Sequence, residues 1–144
     1  MVNAKPLATP EADLLVPPYT LGAWLGDGTS AAAQITSADP EIIMRIEAEG
    51  IVAHPSELQA RLRSIGVLRN KHIPMRYLRA SEAQRRALLA GLLDTDGTVT
   101  HGGSVQFSVT DRRLVTDVEE LIVSLGYRCQ MSTKIGRASC RERV

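Results

Sequence analysis

The fold is decided by one stretch of sequence, Leu89-Ala-Gly-Leu-Leu-Asp-Thr-Asp-Gly97. It follows the capping box Ser81-Glu-Ala-Gln84, and the two together predict a helix that runs to about Asp94. This helix is apolar, carries Gly91 in its middle and ends on an Asp-Gly pair. A carboxylate at a helix C-terminus opposes the negative end of the macrodipole, at a cost of about 0.3–1 kcal/mol. Asp96 is therefore in a position that is unfavourable for the helix alone.

The same arrangement occurs earlier, in Thr20-Leu-Gly-Ala-Trp-Leu-Gly-Asp-Gly28, whose first residue is the predicted N-cap of a helix. Gly22 matches Gly91, and residues without side chains let two helix backbones approach closely. We therefore expect the two helices to pack together and to bring Asp27 and Asp96 side by side. Adjacent carboxylates need a cation, and hard divalent ions such as Mg²⁺ take carboxylate oxygens. A single Asp-Gly pair is usually only a helix end, but the repetition favours a metal site.

Around the two motif helices the sequence alternates between helical and strand patterns. Each motif helix is followed by a strand pattern and then by another helix. The order helix, strands, helix therefore occurs twice. The sequence thus predicts an α+β domain with a duplicated plan, better formed in its second copy. The predicted segments are a helix capped by Asp39, a helix over Ser56–Ile65, strands Thr98–His101 and Ser104–Thr110, a helix from Asp111 to Gly126, and a strand over Tyr127–Lys134.

The chain has 144 residues and a formal net charge of +1, which suits one compact domain. No apolar run reaches the ~20 residues that span a bilayer, and we expect a cytoplasmic protein. Positive charge is concentrated in residues 61–86, where eight bases accompany a single acid. Such a block is typical of a surface that contacts phosphate groups, with a solvated helix face as the alternative. The eight bases are Arg61, Arg63, Arg69, Lys71, Arg76, Arg79, Arg85 and Arg86.

The two motifs resemble the LAGLIDADG (DOD-type) sequence of homing endonucleases. Residues 89–97 match it nearly letter for letter, and residues 20–28 resemble a divergent first copy. Lys71-His-Ile-Pro74 is similar to the K-x-I-P block of endonucleases carried by inteins, and Glu120-Leu-Ile-Val-Ser-Leu-Gly-Tyr127 is similar to their later LGY block. The four blocks follow the family's order over residues 19–134. The resemblance is greatest to the endonuclease inserts of inteins in the actinobacterial replicative DNA helicase.

The resemblance implies a division of roles among the motif residues. Asp27 and Asp96 are the implied metal-binding catalytic aspartates, with Gly26 and Thr95 in the same metal site and Mg²⁺ (or Mn²⁺) as the cofactor. Lys71 is the implied third catalytic residue, near the scissile phosphate. The implied DNA-binding residues lie in the basic block and on the outward faces of the strands. They are Arg69, Arg76, Arg79, Thr98, Thr100, Gln106, Ser108, Arg128, Gln130 and Lys134.

The resemblance also implies the domain plan, an α+β saddle of two αββαββα half-domains whose sheets grip the major groove. We expect a linker at 1–18, the endonuclease domain at 19–134, and a non-native, adapter-derived tail at 135–144 that breaks the preceding periodicity. The first repeat, about 19–66, is shortened because only 69 residues separate the two motif aspartates. The second repeat, about 75–134, is truncated.

The leading hypothesis is an intein-borne, site-specific endonuclease that hydrolyses phosphodiesters of double-stranded DNA with a divalent metal. It is expected to be a monomer that acts as a pseudo-dimer of two repeats, joined in cis to a splicing domain and a host protein, without a membrane partner. This fragment is expected to cleave weakly or not at all, and Asp94 is not expected to be a metal ligand. Two alternatives stay open: a non-cleaving DNA-binding module on the same fold, as in regulators or decayed elements, and an interaction domain without a nucleic-acid role.

Overall fold

The computed structural model describes residues 8–28, 32–34, 39–50, 55–99, 104–109, 111–127, 129–134 and 137–143. The helices within these ranges are α1 (Pro18–Asp27), α2 (Pro40–Ala48), α3 (Pro55–Ser64), α4 (Met75–Leu78), α5 (Glu82–Asp96) and α6 (Arg112–Ser124). The strands are β1 (Gly97–Val99), β2 (Ser104–Val109), β3 (Gln130–Lys134) and β4 (Arg137–Arg143). Among the described helices, none combines the length and the apolar character needed to cross a membrane.

Three of the predicted helix starts are confirmed by their capping hydrogen bonds. The side chain of Asp39 caps α2, and that of Asp111 caps α6. Ser81 and Gln84 form the reciprocal capping box at the start of α5. The helix α5 continues to Asp96, slightly beyond the predicted end.

The predicted N-cap of α1 is wrong. The helix begins at Pro18, with Pro17 in the cap position. Proline suits the first helical position because the N–H group that it lacks has no partner within the helix there. Thr20 therefore lies inside the first turn, fully buried. Its backbone N–H and its hydroxyl donate to the carboxylate of Glu49, at 2.7 and 2.9 Å.

The core is centred on α1 and α5, which pack along each other's length. A large cluster of buried apolar side chains joins these two helices to α3, α4, α6 and β2. A smaller cluster fills the space between α1 and α2, with Tyr19, Ala23, Ile42 and Ile46 as its members. The largest fully buried side chains in the main cluster include Trp24, Leu88, Leu92, Phe107 and Leu121.

The four strands form one antiparallel sheet in the order β1-β2-β4-β3. In the pairing of β1 with β2, Gly97 lies opposite Phe107. Because β1 directly follows α5, the C-terminal end of β2 returns to the end of α5. The described residues between α1 and α5 contain helices α2, α3 and α4 and no strand. The division of the chain into two α+β repeats stays a prediction.

Segment 135–144, which breaks the preceding periodicity of the sequence, contains a strand. Residues Arg137–Arg143 form β4, which pairs with β2 on one side and β3 on the other. Ala138 and Cys140 alternate with polar residues there, and a period of two suits a strand. The adapter origin of this segment stays a prediction.

Residues 8–17, the N-terminal strap, contain no helix or strand but are bound to the domain. The side chain of Gln84 accepts from the N–H of Ala12 at 2.9 Å and donates to its carbonyl oxygen at 2.7 Å. The hydroxyl of Tyr77 likewise accepts from the N–H of Val16 at 3.0 Å and donates to its carbonyl oxygen at 2.6 Å. These side chains satisfy the strap's backbone as a neighbouring strand would. The predicted linker is thus fastened to the domain at Ala12 and Val16 before it enters α1.

Candidate metal and nucleic-acid site

The two motif helices pack parallel and in register. A Cβ atom added to Gly22 would overlap the backbone of α5 at Leu88 and Leu92 and would lie 3.1 Å from the Cα of Gly91, and one added to Gly26 would overlap the side chain of Thr95. Partners therefore lie 69 positions apart in both contacts, 22 with 91 and 26 with 95. Because α1 and α5 keep this offset, their C-terminal ends lie side by side. The backbones of residues 27 and 96 consequently lie at the same end of the pair.

The shared end of α1 and α5 is rich in oxygen atoms. The last carbonyl groups of a helix have no intrahelical partner, and they form the negative end of its macrodipole. Asp27 is exposed and adds a carboxylate there. The side chain of Asp96 lies outside what the structure describes. Helix-end carbonyl groups and the Asp27 carboxylate are oxygen donors of the kind that hard divalent cations prefer.

The described side chains do not build a closed metal cage at this end. Among the described residues, no group of three or more His, Cys, Asp or Glu side chains is arranged to hold a metal ion. The hydroxyl of Thr95 donates to the carbonyl oxygens of Gly91 and Leu92, at 2.8 and 3.2 Å. The Thr95 side chain is turned towards Gly26 between the helices, so its backbone carbonyl is the group that could face a cation. A cation here would keep several water ligands, as Mg²⁺ does in proteins.

Lys71 reaches the same end of α1. Its ammonium group donates to the carbonyl oxygen of Gly28 at 2.6 Å and to that of Leu25 at 3.2 Å, and it lies 5.1 Å from the ring centroid of Trp24. The structure therefore places the Lys71 ammonium group at the end of α1 that carries Asp27, and its catalytic role stays a prediction. A cation is favoured at a helix C-terminus by the macrodipole. Lys71 thus has a structural role at the end of α1 in addition to the proposed catalytic one.

Asp94, the other acid of the second motif, is engaged elsewhere. Its carboxylate accepts from the hydroxyl of Tyr19 at 2.7 Å and from the guanidinium of Arg45 at 2.9 Å. The guanidinium of Arg45 also lies 4.1 Å above the Tyr19 ring. Burial, and next the hydrogen bond to Asp94, raise the pKa of Tyr19 above its ordinary value. Asp94 therefore ties α5 to α1 and α2, which agrees with its exclusion from the metal ligands.

Glu49, which the sequence pattern did not single out, fixes the other end of α1. Its carboxylate accepts from the backbone N–H groups of Tyr19 and Thr20 and from the Thr20 hydroxyl. A carboxylate is favoured at a helix N-terminus, where it satisfies unpaired N–H groups and the positive end of the dipole. Glu49 follows α2 in the chain, so no local pattern around α1 indicates this contact. Together with Arg45 it connects α2 to both motif helices.

The basic block does not form one continuous surface. Arg85 is fully buried, and it donates to the carbonyl oxygens of Ala80 and Ser124 at 2.9 and 2.8 Å. Burial lowers the pKa of its guanidinium, so this residue is a structural link and not a phosphate contact. Arg79 forms an ion pair with Glu120 at 3.0 Å. The remaining pairs of the block are Arg61 with Glu57, Arg86 with Glu82, and Arg76 with the carbonyl oxygen of Asp13.

The predicted DNA-binding residues divide into those that the structure describes and those that it does not. Arg69 is exposed and lies directly before the Asn70–Lys71 segment. Thr100 and Arg128 lie outside the described residues. The strand positions have a described backbone, but their side chains fall outside what the structure describes. These positions are Thr98, Gln106, Ser108, Gln130 and Lys134.

Comparison with known proteins gives two findings. Residues 83–142 match the family model of the LAGLIDADG-like domain, a range that begins in α5 and extends through the sheet. The chain is 75% identical over 134 residues to the replicative DNA helicase DnaB of Mycobacterium intracellulare. The aligned part is 93% of this chain but only 23% of that protein, so the chain spans less than a quarter of its relative's length. Residues 83–142 are thus similar to a LAGLIDADG-like domain, and the chain is similar to a part of a replicative DNA helicase.

Proposed function

We propose that the chain is the endonuclease domain of an intein, a homing endonuclease that hydrolyses double-stranded DNA at a specific site. The observation that carries this proposal is the parallel, in-register packing of α1 and α5, which brings the backbones of Asp27 and Asp96 to one end. The LAGLIDADG-like match over residues 83–142 supports it. Two αββαββα half-domains, with a shortened first repeat and a truncated second, are the architecture that we propose for this activity.

The proposed metal site consists of oxygen atoms from the ends of the two helices. Asp27 and Asp96 contribute carboxylates, and Gly26 and Thr95 contribute backbone carbonyl oxygens. A Mg²⁺ or Mn²⁺ ion bound there supplies Lewis-acid catalysis and lowers the pKa of a coordinated water. Lys71 holds positive charge beside this end and offsets the charge of the scissile phosphate. The close contact between Gly26 and Thr95 keeps both aspartates at one level.

The proposed DNA contacts follow the sheet and the adjoining loops. Strand residues Thr98, Gln106, Ser108, Gln130 and Lys134, with Thr100 and Arg128, contact base edges and the backbone in the major groove. Arg69, Arg76 and Arg79 contact phosphate groups. Arg76 and Arg79 first have to leave their partners Asp13 and Glu120.

The cis partners of the domain are a splicing domain and a host protein, which we propose to be a replicative DNA helicase in the cytoplasm. The support is the 75% identical relative, which is a DnaB helicase. The aligned part is only 23% of that protein's length. An insertion within a longer protein produces such partial coverage. The domain acts as a monomer, because its two repeats supply one aspartate each.

A cleavage assay tests the proposed function. The chain is incubated with supercoiled plasmids that carry an uninterrupted helicase gene, with Mg²⁺ or with a chelator. We expect weak Mg²⁺-dependent nicking that is lost in Asp96→Asn, whereas Asp94→Asn, the matched control in the same motif, retains it. Cutting by Asp96→Asn at the wild-type rate contradicts the proposal. Binding of duplex DNA without any nicking favours the alternative, a non-cleaving DNA-binding module.

A further inference from the structure

Two exposed arginines adjoin Asn70, and a third is the chain neighbour of one of them. Arg69 precedes it in the chain, and the guanidinium of Arg113 donates to its side-chain oxygen at 3.3 Å. Arg112 is the neighbour of Arg113 at the start of α6. We call Arg69, Asn70, Arg112 and Arg113 the Asn70 cluster. Within the described part of the chain, none of its arginines pairs with a carboxylate, unlike Arg45, Arg61, Arg79 and Arg86.

The Asn70 cluster is held rigidly. Asn70 donates from its backbone N–H to the carbonyl oxygen of Val67 at 3.1 Å. One turn further along α6 than Arg113, the carboxylate of Asp117 accepts from the N–H of Ile73 at 3.0 Å. Two contacts, four residues apart on α6, therefore fasten this helix along the segment that contains Lys71. The backbones that carry these arginines are therefore held close to each other.

The cluster borders the shared end of α1 and α5. Lys71 follows Asn70, and its ammonium group reaches the last carbonyl oxygens of α1. From the other direction, β2 returns to the end of α5 because Gly97 pairs with Phe107, and α6 begins three residues after β2. Both segments of the cluster therefore lead to the proposed metal site.

These arginines occupy positions that folding alone disfavours. Arg112 and Arg113 stand in the first turn of α6, which contains no acidic residue. Positive charge there opposes the positive end of the macrodipole. Arg69 has a φ of +56°, a left-handed conformation that favours glycine or asparagine. Arginines that stand in unfavourable positions, and that have no carboxylate partner in the described chain, indicate a role in binding another molecule.

We propose that the Asn70 cluster is a phosphate-binding surface that grips the DNA backbone beside the metal site, outside the sheet. This inference rests on the proposed function, since it takes DNA as the partner. Guanidinium groups bind phosphate through two parallel N–H donors, and they hold a charge that no carboxylate of the described chain neutralises. The surface positions the strand next to Lys71, and sequence-specific contacts remain with the strands.

The test uses substitutions for which folding and DNA binding respond in opposite directions. Arg112→Glu places an acid in the first turn of α6, and Arg69→Asn suits the left-handed conformation, so both raise the melting temperature. Both weaken binding to a long DNA duplex, measured by fluorescence anisotropy over a range of salt concentrations. We expect the slope of log K against log salt to become shallower by about 0.9 for each phosphate group that the variant no longer neutralises.

Arg63→Gln is the control matched to Arg69→Asn, because Arg63 is an exposed arginine on α3 and each substitution removes one positive charge. It should leave the salt slope unchanged. If wild-type chain binds duplex DNA but Arg112→Glu and Arg69→Asn bind it equally well, the Asn70 cluster is not the phosphate surface and the proposed function stands. An equal loss in Arg63→Gln overturns the inference, since net charge alone then explains it. No binding by the wild-type chain at low salt overturns both.

Discussion

Gly22 and Gly91 face each other across the two parallel motif helices, and each occupies space that a side chain on the other helix would need. A Cβ atom at Gly91 would lie 2.7 Å from the backbone nitrogen of Ala23 and 3.1 Å from the carbonyl carbon of Gly22. Backbone atoms cannot move aside as a flexible side chain can. The distance between α1 and α5, and with it the level of their two aspartates, therefore depends on these glycines.

Gly91→Ala should destabilise the chain by about 3 kcal/mol, at the upper end of the range for overpacked cores. At an exposed position within a helix the same substitution would raise the free energy of unfolding by about 1 kcal/mol. The sign of the change therefore tests whether Gly91 is closely packed. The measurement is urea unfolding followed by circular dichroism. Gly50→Ala is the control, because a Cβ there meets nothing within 4 Å and only the positive φ of 89° opposes it. Equal stabilities of Gly91→Ala and wild type would contradict the close packing.

Glu49→Ala should lower the free energy of unfolding by about 2–3 kcal/mol, because it removes three hydrogen bonds to the start of α1 and Thr20 is buried. Glu49→Gln keeps an acceptor and should lose about half as much. Glu47→Ala, at an exposed position on α2, is the matched control and should be neutral. A loss as large in Glu47→Ala would indicate that α2 acts through its helical stability and not through the carboxylate of Glu49.

The stability of the chain should fall as the pH rises from 10 towards 12, because burial raises the pKa of Tyr77 to about 12 from an ordinary 10.0. Below pH 10 the hydroxyl is protonated in both states, and its contribution is fully present. Above pH 10 this hydroxyl ionises in the unfolded chain before it ionises in the folded chain. The free energy of unfolding therefore falls by about 2–3 kcal/mol by pH 12. The check is the free energy of unfolding at several alkaline pH values.

Tyr77→Phe is the variant that assigns this pH dependence. It removes both hydrogen bonds to Val16 in the N-terminal strap, so it should be less stable at neutral pH by about 1–2 kcal/mol. Its stability should then change less between pH 10 and 12 than that of wild type. An identical alkaline loss in the variant would mean that another group, such as Tyr19, is responsible.

Local patterns predicted the helices well because each signal lies within the element that it describes. The side chains of Asp39, Ser81 and Asp111 cap the helices that follow them directly in sequence. The in-register packing of the motif helices also followed from a local signal, the repeated glycine spacing. The expected helix start at Thr20 failed because Pro17 and Pro18 already set the first turn.

The contacts that sequence reasoning missed join residues far apart in the chain. Glu49 satisfies N–H groups 29 and 30 residues away, and Arg85 is buried against Ser124, 39 residues away. A charge count does not distinguish a buried arginine from an exposed one. The sequence alone therefore predicts one surface for the basic block. Only the packing of α5 against α6 separates Arg85 from exposed arginines such as Arg69.

Lys71→Met should separate the two roles of this lysine. Methionine keeps an apolar stem near Trp24 but removes the hydrogen bonds to Leu25 and Gly28, so we expect a loss of about 1.5–3 kcal/mol in thermal or urea unfolding. Lys71→Arg retains the charge and should recover part of that stability. DNA nicking is then measured at a temperature at which all three proteins are folded. If Lys71 also offsets phosphate charge, nicking by Lys71→Met falls far more than its stability explains. Nicking at the wild-type rate by folded Lys71→Met would show that Lys71 only caps α1, which removes it from the catalytic residues.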